Sequence, residues 1–538
     1  MKKTPSLDRR SFLKGGLVLG AAGVTAGLAG CAPTASKASD GTSSEELSQT
    51  GGSAREIAET IDVDVVVVGA GNAGMPAAVE AAEQGAKTLL LEKAANLGGN
   101  GVFTFGPCGF QTRYSKASGI DLDYHEVLAG ELNRYSYRND IRFFMDMAEA
   151  SSGNIEWVAD HGVAFADKVD NYKGGYPTMH YFAGEDAPGG GRTAHGANYI
   201  AGMQAAAEKA GVEIMTSTPA VDILQDESGA VTGVVAERSD GTFLQVNASA
   251  VILATGGWNG NPDMMRKQGR GNPLVHAYAY SSDQSGDGWA FATKAGAHDL
   301  SREAGYVVQP MLSENIVVCN EPDSPMFHDE HPIWKIVKCG IGMWVNDRGE
   351  RFVDEALGHP ETGLATWATN AIVAQKRCCI VIDQAIADDL GQECMDWIFS
   401  VNEQNTKVVG ETLDELAANG GFDADILKAE VERYNSFCAA GVDGDFGKRT
   451  DALVPLSKGP YYAFQLCELS MCSFGGVRIN RSMQALDSDW NEIPGLYVIG
   501  VDSLPFYQSF YYFNMPGSAI AFEIHSGLVA ARHAVSHL

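Results

Sequence analysis

Val65–Val68 is a short, continuous, β-branched run, the pattern of a strand buried on both faces of a parallel sheet. Directly after it, Gly69, Gly71 and Gly74 make GxGxxG, and Ala77, Ala78, Ala81 and Ala82 repeat at helical spacing up to Gly85. A second buried run, Thr88–Leu91, closes on Glu92. Further along, 140–165 reads as helix around Phe144, Met147, Ala148 and Trp157, and 197–210 as another, after a loop at Gly189–Thr193. Short strands are expected at Glu213–Met215 and Val221–Leu224. A hairpin turning at Ser239-Asp240-Gly241 follows. Val251–Gly257 reads as a separate buried strand ending in a glycine pair, and Gly286-Asp287-Gly288 leads into a helix. Ile493–Gly500 is a last strand, followed by an aromatic stretch, Pro505–Phe513, and a helix opened by Pro516-Gly517-Ser518-Ala519.

The first of these patterns carries chemistry. Gly69 permits a tight turn, Gly71 lets backbone approach a pyrophosphate, and Gly74 lets helix and strand pack closely. Glu92 stands where a carboxylate can accept from a ribose hydroxyl. Strand, glycines, helix, strand and terminal acid together predict a dinucleotide site over Gly69, Gly71, Asn72, Ala73, Gly74, Glu92 and Lys93. The clustered Gly98-Gly99-Asn100-Gly101 is expected to press against the rest of a flat cofactor.

The chain of 538 residues calls for more than one core. Its net charge of −29 argues against nucleic acid as a partner. Ten cysteines occur without CxxC or CxxCH spacing, so neither a zinc site, an iron–sulfur cluster nor a c-type haem is legible and no metal site is expected. Residues 1–31 are an address. Arg9-Arg10-Ser11-Phe12-Leu13-Lys14 is close to a complete twin-arginine export motif, and Leu28-Ala29-Gly30-Cys31 resembles a lipobox with Cys31 as the lipidated residue. The first thirty residues hold five basic groups and one acid, so cleavage before Cys31 would leave −33. Residues 32–60, rich in Ser, Thr, Ala and Gly, read as a flexible tether. The expected location is the cell envelope. Export of a folded chain suits a protein that takes up its cofactor before leaving the cytoplasm.

In this order, these motifs together with Arg351-Phe352-Val353-Asp354-Glu355 and Gly495-Leu496-Tyr497 resemble the FAD-dependent fumarate reductase and succinate dehydrogenase flavoprotein family, with its urocanate reductase and 3-ketosteroid dehydrogenase relatives. The resemblance covers roughly residues 61–538. It implies an α/β fold: a discontinuous Rossmann-like FAD-binding domain, 61–305 plus 470–538, with an inserted α+β capping domain, 306–469. It also implies that Ala254, Thr255, Gly256 and Gly257 pass near the adenosine side and that Asp287, Gly500 and Asp502 belong to the cofactor site. The helix start at Gly517, Ser518 and Ala519 would aim backbone N–H groups at the flavin.

Departures from the family pattern redirect the substrate. His359 stands near where fumarate reductases place an arginine acid, Met471–Gly476 lacks their histidine, and Asn514 replaces their carboxylate-clamping arginine. A small dianion needs bidentate guanidinium partners, so fumarate is not the expected substrate. Phe506, Tyr507, Phe510, Tyr511, Tyr512 and Phe513 favour a larger, flatter, less charged molecule, with about half of these rings expected in the core. The candidate catalytic residues are Tyr507, Tyr511, Tyr512, His359 and Asn514. The leading expectation is a reductase of an activated C=C bond fed by an external cytochrome c or quinol-linked membrane donor. A dehydrogenase of a steroid-like 3-keto substrate and a non-catalytic electron-relay flavolipoprotein remain as alternatives.

Overall fold

The computed structural model describes residues 56–134, 136–138, 140–171, 175–184, 192–269, 277–279, 284–312, 331–358, 366–401, 407–507, 511 and 514–538. Strand β1 (Ile57–Val68) is its centre. Val65, Val66 and Val67 are wholly buried, each contributing about 1.5–3 kcal/mol of apolar burial. β1 begins inside the stretch read as a tether, because its first half pairs with Phe243–Ala248, a partner that the apolar run alone does not reveal.

Helix α1 (Gly74–Glu83) returns the chain to β2 (Thr88–Leu91), which pairs parallel with β1. Helices α2 (Ile141–Asp160) and α3 (Arg192–Ala210) precede β3 (Glu213–Met215), β4 (Ala220–Gln225), β5 (Val231–Glu237) and β6 (Phe243–Leu253). Near the end come β7 (Gln484–Leu486), β8 (Glu492–Val498) and α4 (Ser518–Val535). The sheet runs β7-β8-β6-β1-β2-β3, with β5 joined to β6 and β4 to β5. Two expectations are corrected here. Residues 243–253 are one strand rather than a hairpin arm and a separate strand, and Arg192 and Thr193, read as loop, lie in α3. Gly189–Gly191 lies outside the described residues.

Register places the site. Val68 pairs with Leu91 on one side and with Leu253 on the other, and Leu253 pairs with Val498. Four parallel strands therefore end in one row, and Gly69, Glu92, Ala254 and Ile499 emerge side by side. The crevice outside such carboxyl ends is where open α/β sheets take ligands.

A four-stranded antiparallel sheet, Met343–Asn346, Cys378–Asp383, Tyr461–Gln465 and Lys407–Gly410, has a hydrophobic core of its own, drawn from residues 311–466. Between the two lies a three-stranded sheet in which Gly305–Met311 pairs antiparallel with Cys467–Phe474. That sheet brings Val307, Met471, Cys472 and Phe474 to the crevice.

Candidate active site

The glycine loop at the end of β1 is held by geometry that only glycine supplies. Gly69 has φ +107°, and a Cβ there would lie 2.3 Å from the Ala254 carbonyl oxygen. A Cβ on Gly74 would lie 1.9 Å from the Gly69 oxygen. On Gly71, by contrast, it would meet only Gly98 O at 3.8 Å, so this glycine faces open crevice. Both oxygens of Glu92 accept from backbone: Oε2 from Ala70 N–H in the loop at 2.9 Å and Oε1 from Ala94 N–H just after β2 at 2.8 Å. The carboxylate at the end of β2 thus orders the turn as well as lining the crevice.

Asp502 organises the opposite side. Its Oδ2 accepts from Thr255 N–H (2.6 Å), Thr255 Oγ1 (2.9 Å) and Gly256 N–H (3.2 Å), and its Oδ1 from Gly257 N–H (2.8 Å). Asp502 is 1% exposed, so it fixes the loop from behind without lining the crevice. Asp287 also stands back, bridging to Lys93 Nζ at 3.0 Å, which donates in addition to Ser285 Oγ at 2.7 Å. Gly74, Gly257 and Ser518 likewise lie behind the wall. Gly69, Gly71, Asn72, Ala73, Glu92, Lys93, Gly98, Gly99, Asn100, Gly101, Ala254, Thr255, Gly256, Gly500, Gly517 and Ala519 all line one crevice.

That crevice fits FAD. The glycine cradle offers backbone at the N-terminus of α1, and Gly517, at φ +83°, opens α4 onto the same space. Asn72 Oδ1, Asn100 Oδ1 and Gln284 Oε1 are buried without a partner, although all three residues line the crevice. Unsatisfied buried acceptors are costly, and a ligand rich in hydroxyl and N–H groups would satisfy them.

The far end is apolar. Phe103, Phe105, Met179, Val307, Phe474 and Tyr511 form it, with the Phe474 and Tyr511 rings 5.2 Å apart. Among the described lining residues Lys93 is the only cation, and it is engaged by Asp287. Of the expected catalytic residues, Tyr511 lines the crevice, its hydroxyl 3.3 Å from Ser518 Oγ, and burial pushes its phenol upward. Tyr507 is 1% exposed and packs behind Tyr511, its hydroxyl bonded to the same Ser518. The Asn514 carbonyl accepts from Tyr176 N–H at 2.6 Å, outside the crevice lining. His359 and Tyr512 lie outside the described residues, as do Phe510 and Phe513. The described rings, Phe506, Tyr507 and Tyr511, are all buried.

Two features escaped the sequence reading. Glu523, on α4, lines the crevice and accepts from Asn72 Nδ2 at 2.8 Å. Its only sequence signal is an acid inside an apolar helix. The other is a buried charge cluster in the second core. Arg351 donates to Glu355 (2.8 Å from both Nε and Nη2) and to Asp443 (3.0 and 2.8 Å), with Lys448 Nζ 3.3 Å from Glu355. These side chains are at most 1% exposed where paired. Arg351-Phe352-Val353-Asp354-Glu355 is therefore a structural clasp here.

Residues 64–511 match the FAD binding domain family, and residues 6–26 match the signal sequence of the twin-arginine translocation pathway. The chain is 31% identical over 500 residues to the vinyl phenol reductase of Lactiplantibacillus plantarum, spanning 88% of this chain and 96% of that one. It is 29% identical over 460 residues to the urocanate reductase of Eggerthella lenta, spanning 82% and 70% respectively. Its fold is similar to the open conformation of a flavocytochrome c3 fumarate reductase, with TM-score 0.64 at 23% identity over 89% of this chain and 79% of that one. The chain belongs to the FAD binding domain family: it is an FAD-dependent oxidoreductase acting on CH–CH groups and exported by the twin-arginine route.

Proposed function

We propose that this enzyme reduces the activated C=C bond of a flat, bulky or aromatic small molecule, with fumarate excluded. The observation that carries this reading is the apolar wall of Phe103, Phe105, Val307, Phe474 and Tyr511, with no unengaged cation among its described residues. Placing a dianion against such a wall leaves charge desolvated and unpaired, at a cost of several kcal/mol. A neutral aromatic ring gains from the same surface. The likeness to vinyl phenol reductase supports a conjugated phenolic alkene as the type of substrate.

When bound, FAD would supply the hydride chemistry. Gly69–Ala73, Glu92–Lys93 and Gly98–Gly101 would hold it on one side, Ala254–Gly256, braced by Asp502, alongside, and Gly517 and Ala519 at the start of α4. The cofactor domain is placed at 61–305 plus 470–538 and the cap at 306–469, a division supported by a separate hydrophobic core drawn from residues 311–466. Tyr511 is the candidate proton donor. A phenol carries its proton at neutral pH, and Ser518, shared with Tyr507, orients the Tyr511 hydroxyl. His359 and Tyr512 are further candidates, and Asn514 is proposed to shape the substrate edge through its loop. Electrons arrive from an external cytochrome c or quinol-linked membrane protein, as in anaerobic respiration, and Cys31 anchors the chain to lipid at the cell envelope.

The experiment is turnover of the purified holoprotein with a panel of vinyl phenols, acrylates, enones, steroids and fumarate. Reduced viologen serves as donor in one arm and an oxidised dye as acceptor in the other. Viologen oxidation driven by a neutral aromatic alkene is expected. Dye reduction with a saturated 3-keto steroid alone would favour the dehydrogenase reading. Electron transfer that ignores every small molecule would favour a relay.

A further inference from the structure

Helix α4 carries one acid, Glu523, in the stretch Ser518–Gly527, and that acid turns toward the glycine loop. Its Oε2 accepts from Asn72 Nδ2 at 2.8 Å, and its side chain lines the crevice beside Gly71, Asn72 and Ala73. A Cβ placed on Gly500 would lie 2.8 Å from Ala73 Cβ and 3.8 Å from Glu523 Cγ. The acid therefore stands at the N-terminus of α1, the part of the cradle suited to a diphosphate. Asn72 is itself 5% exposed, and its Oδ1 has no partner.

The groups facing Glu523 from neighbouring elements are Asn72 on the loop, Tyr199 on α3, Cys472 on Cys467–Phe474, and Tyr511. They are an amide, two phenols and a thiol, and none is a cation. The pair between Arg532 and Glu80, which ties α4 to α1, lies further along the helix, and His525 turns to Asn154 on α2. Burial pushes the Glu523 carboxyl up to about 7, against the opposing pull of the Asn72 donor.

We propose that Glu523 is a proton-coupled cofactor ligand: the chain takes FAD with this residue as the neutral carboxylic acid, so that loading above neutral pH takes up one proton from solvent. An ionised carboxylate beside the diphosphate would face like charge with no cation between them. The neutral acid instead offers its own O–H as a donor. The inference rests on the cofactor, which the family establishes, and is independent of the substrate reading. The sign follows from linkage. Below about pH 7 the apoprotein already holds the proton, and affinity is flat. Above it, affinity falls by up to about tenfold per pH unit until the raised pKa of the complex is passed.

The test is titration of the deflavinated full chain with FAD, followed by quenching of flavin fluorescence from about pH 6 to about pH 9. Calorimetry in buffers of different protonation enthalpy then counts the protons. The expected result is a Kd that climbs above neutral pH, with about one proton taken up near pH 8. Glu523→Gln keeps a donor but cannot titrate, so its Kd is expected to be flat across the range and close to the native value at the acid end. A flat Kd in the native chain, no proton uptake, or an unchanged slope in E523Q would overturn the proposal. Should E523Q fail to fold, the proton count on the native chain decides alone.

Discussion

Around Gly69–Gly74 the crevice is built from backbone, and around Phe474 and Tyr511 it is built from rings. At the first end, what matters is where a Cβ cannot go and which N–H groups a carboxylate can gather, as Glu92 and Asp502 do. At the second, what matters is side-chain surface and the lack of an unengaged cation among the described residues. A backbone requirement admits few sequences, whereas a ring wall can be assembled from many. The cofactor end therefore tolerates little change, and the ring end tolerates more.

The contrast can be broken most severely at the cradle. Gly69→Ala places a Cβ 2.3 Å from Ala254 O on backbone at φ +107°, so complete loss of bound flavin is expected, read from the visible absorbance of the purified chain. At the ring end the flavin should survive. Tyr511→Phe is expected to lower kcat by roughly 10²–10⁴-fold while KM moves only a few-fold and flavin content is unchanged. A fall in flavin content instead would erase the distinction between the two ends. The clasp in the second core tests whether the cap's stability is separable from both ends. Arg351→Ala leaves Glu355 and Asp443 as buried charges without their guanidinium, and about 3–5 kcal/mol should be lost in denaturant unfolding. The flavin spectrum of the folded fraction should stay native. Asp502→Asn is the mildest change. It weakens the acceptor for three backbone N–H groups, so roughly 1–3 kcal/mol of cofactor affinity should go, measured as FAD dissociation.

Legibility followed the same division. Thr88–Leu91 is found where the apolar run places it, because a strand covered on both faces leaves a continuous run. β6 was harder. Its Phe243–Ala248 half alternates between buried and partly exposed, whereas its Ala250–Leu253 half is buried throughout, and two patterns read as two elements. In the site, the glycines are legible because each answers a local backbone constraint. Which ring of the aromatic stretch faces the crevice is not, since composition cannot separate Tyr511 in the wall from Tyr507 behind it. Nor is the clasp: Asp443 is 92 residues from Arg351, and nothing local announces the pairing. Glu523 was hidden differently, as one acid within a helix whose remaining pattern is that of packing.

The central claim is that the ring end selects a neutral, flat alkene. Its most direct measurement is the ratio of kcat/KM for a vinyl phenol to that for fumarate, taken on the holoprotein with reduced viologen as donor. Several kcal/mol of unpaired charge correspond to a preference of about 100-fold or more for the neutral substrate, each 1.4 kcal/mol being tenfold. A ratio near one, or one favouring fumarate, would contradict the account.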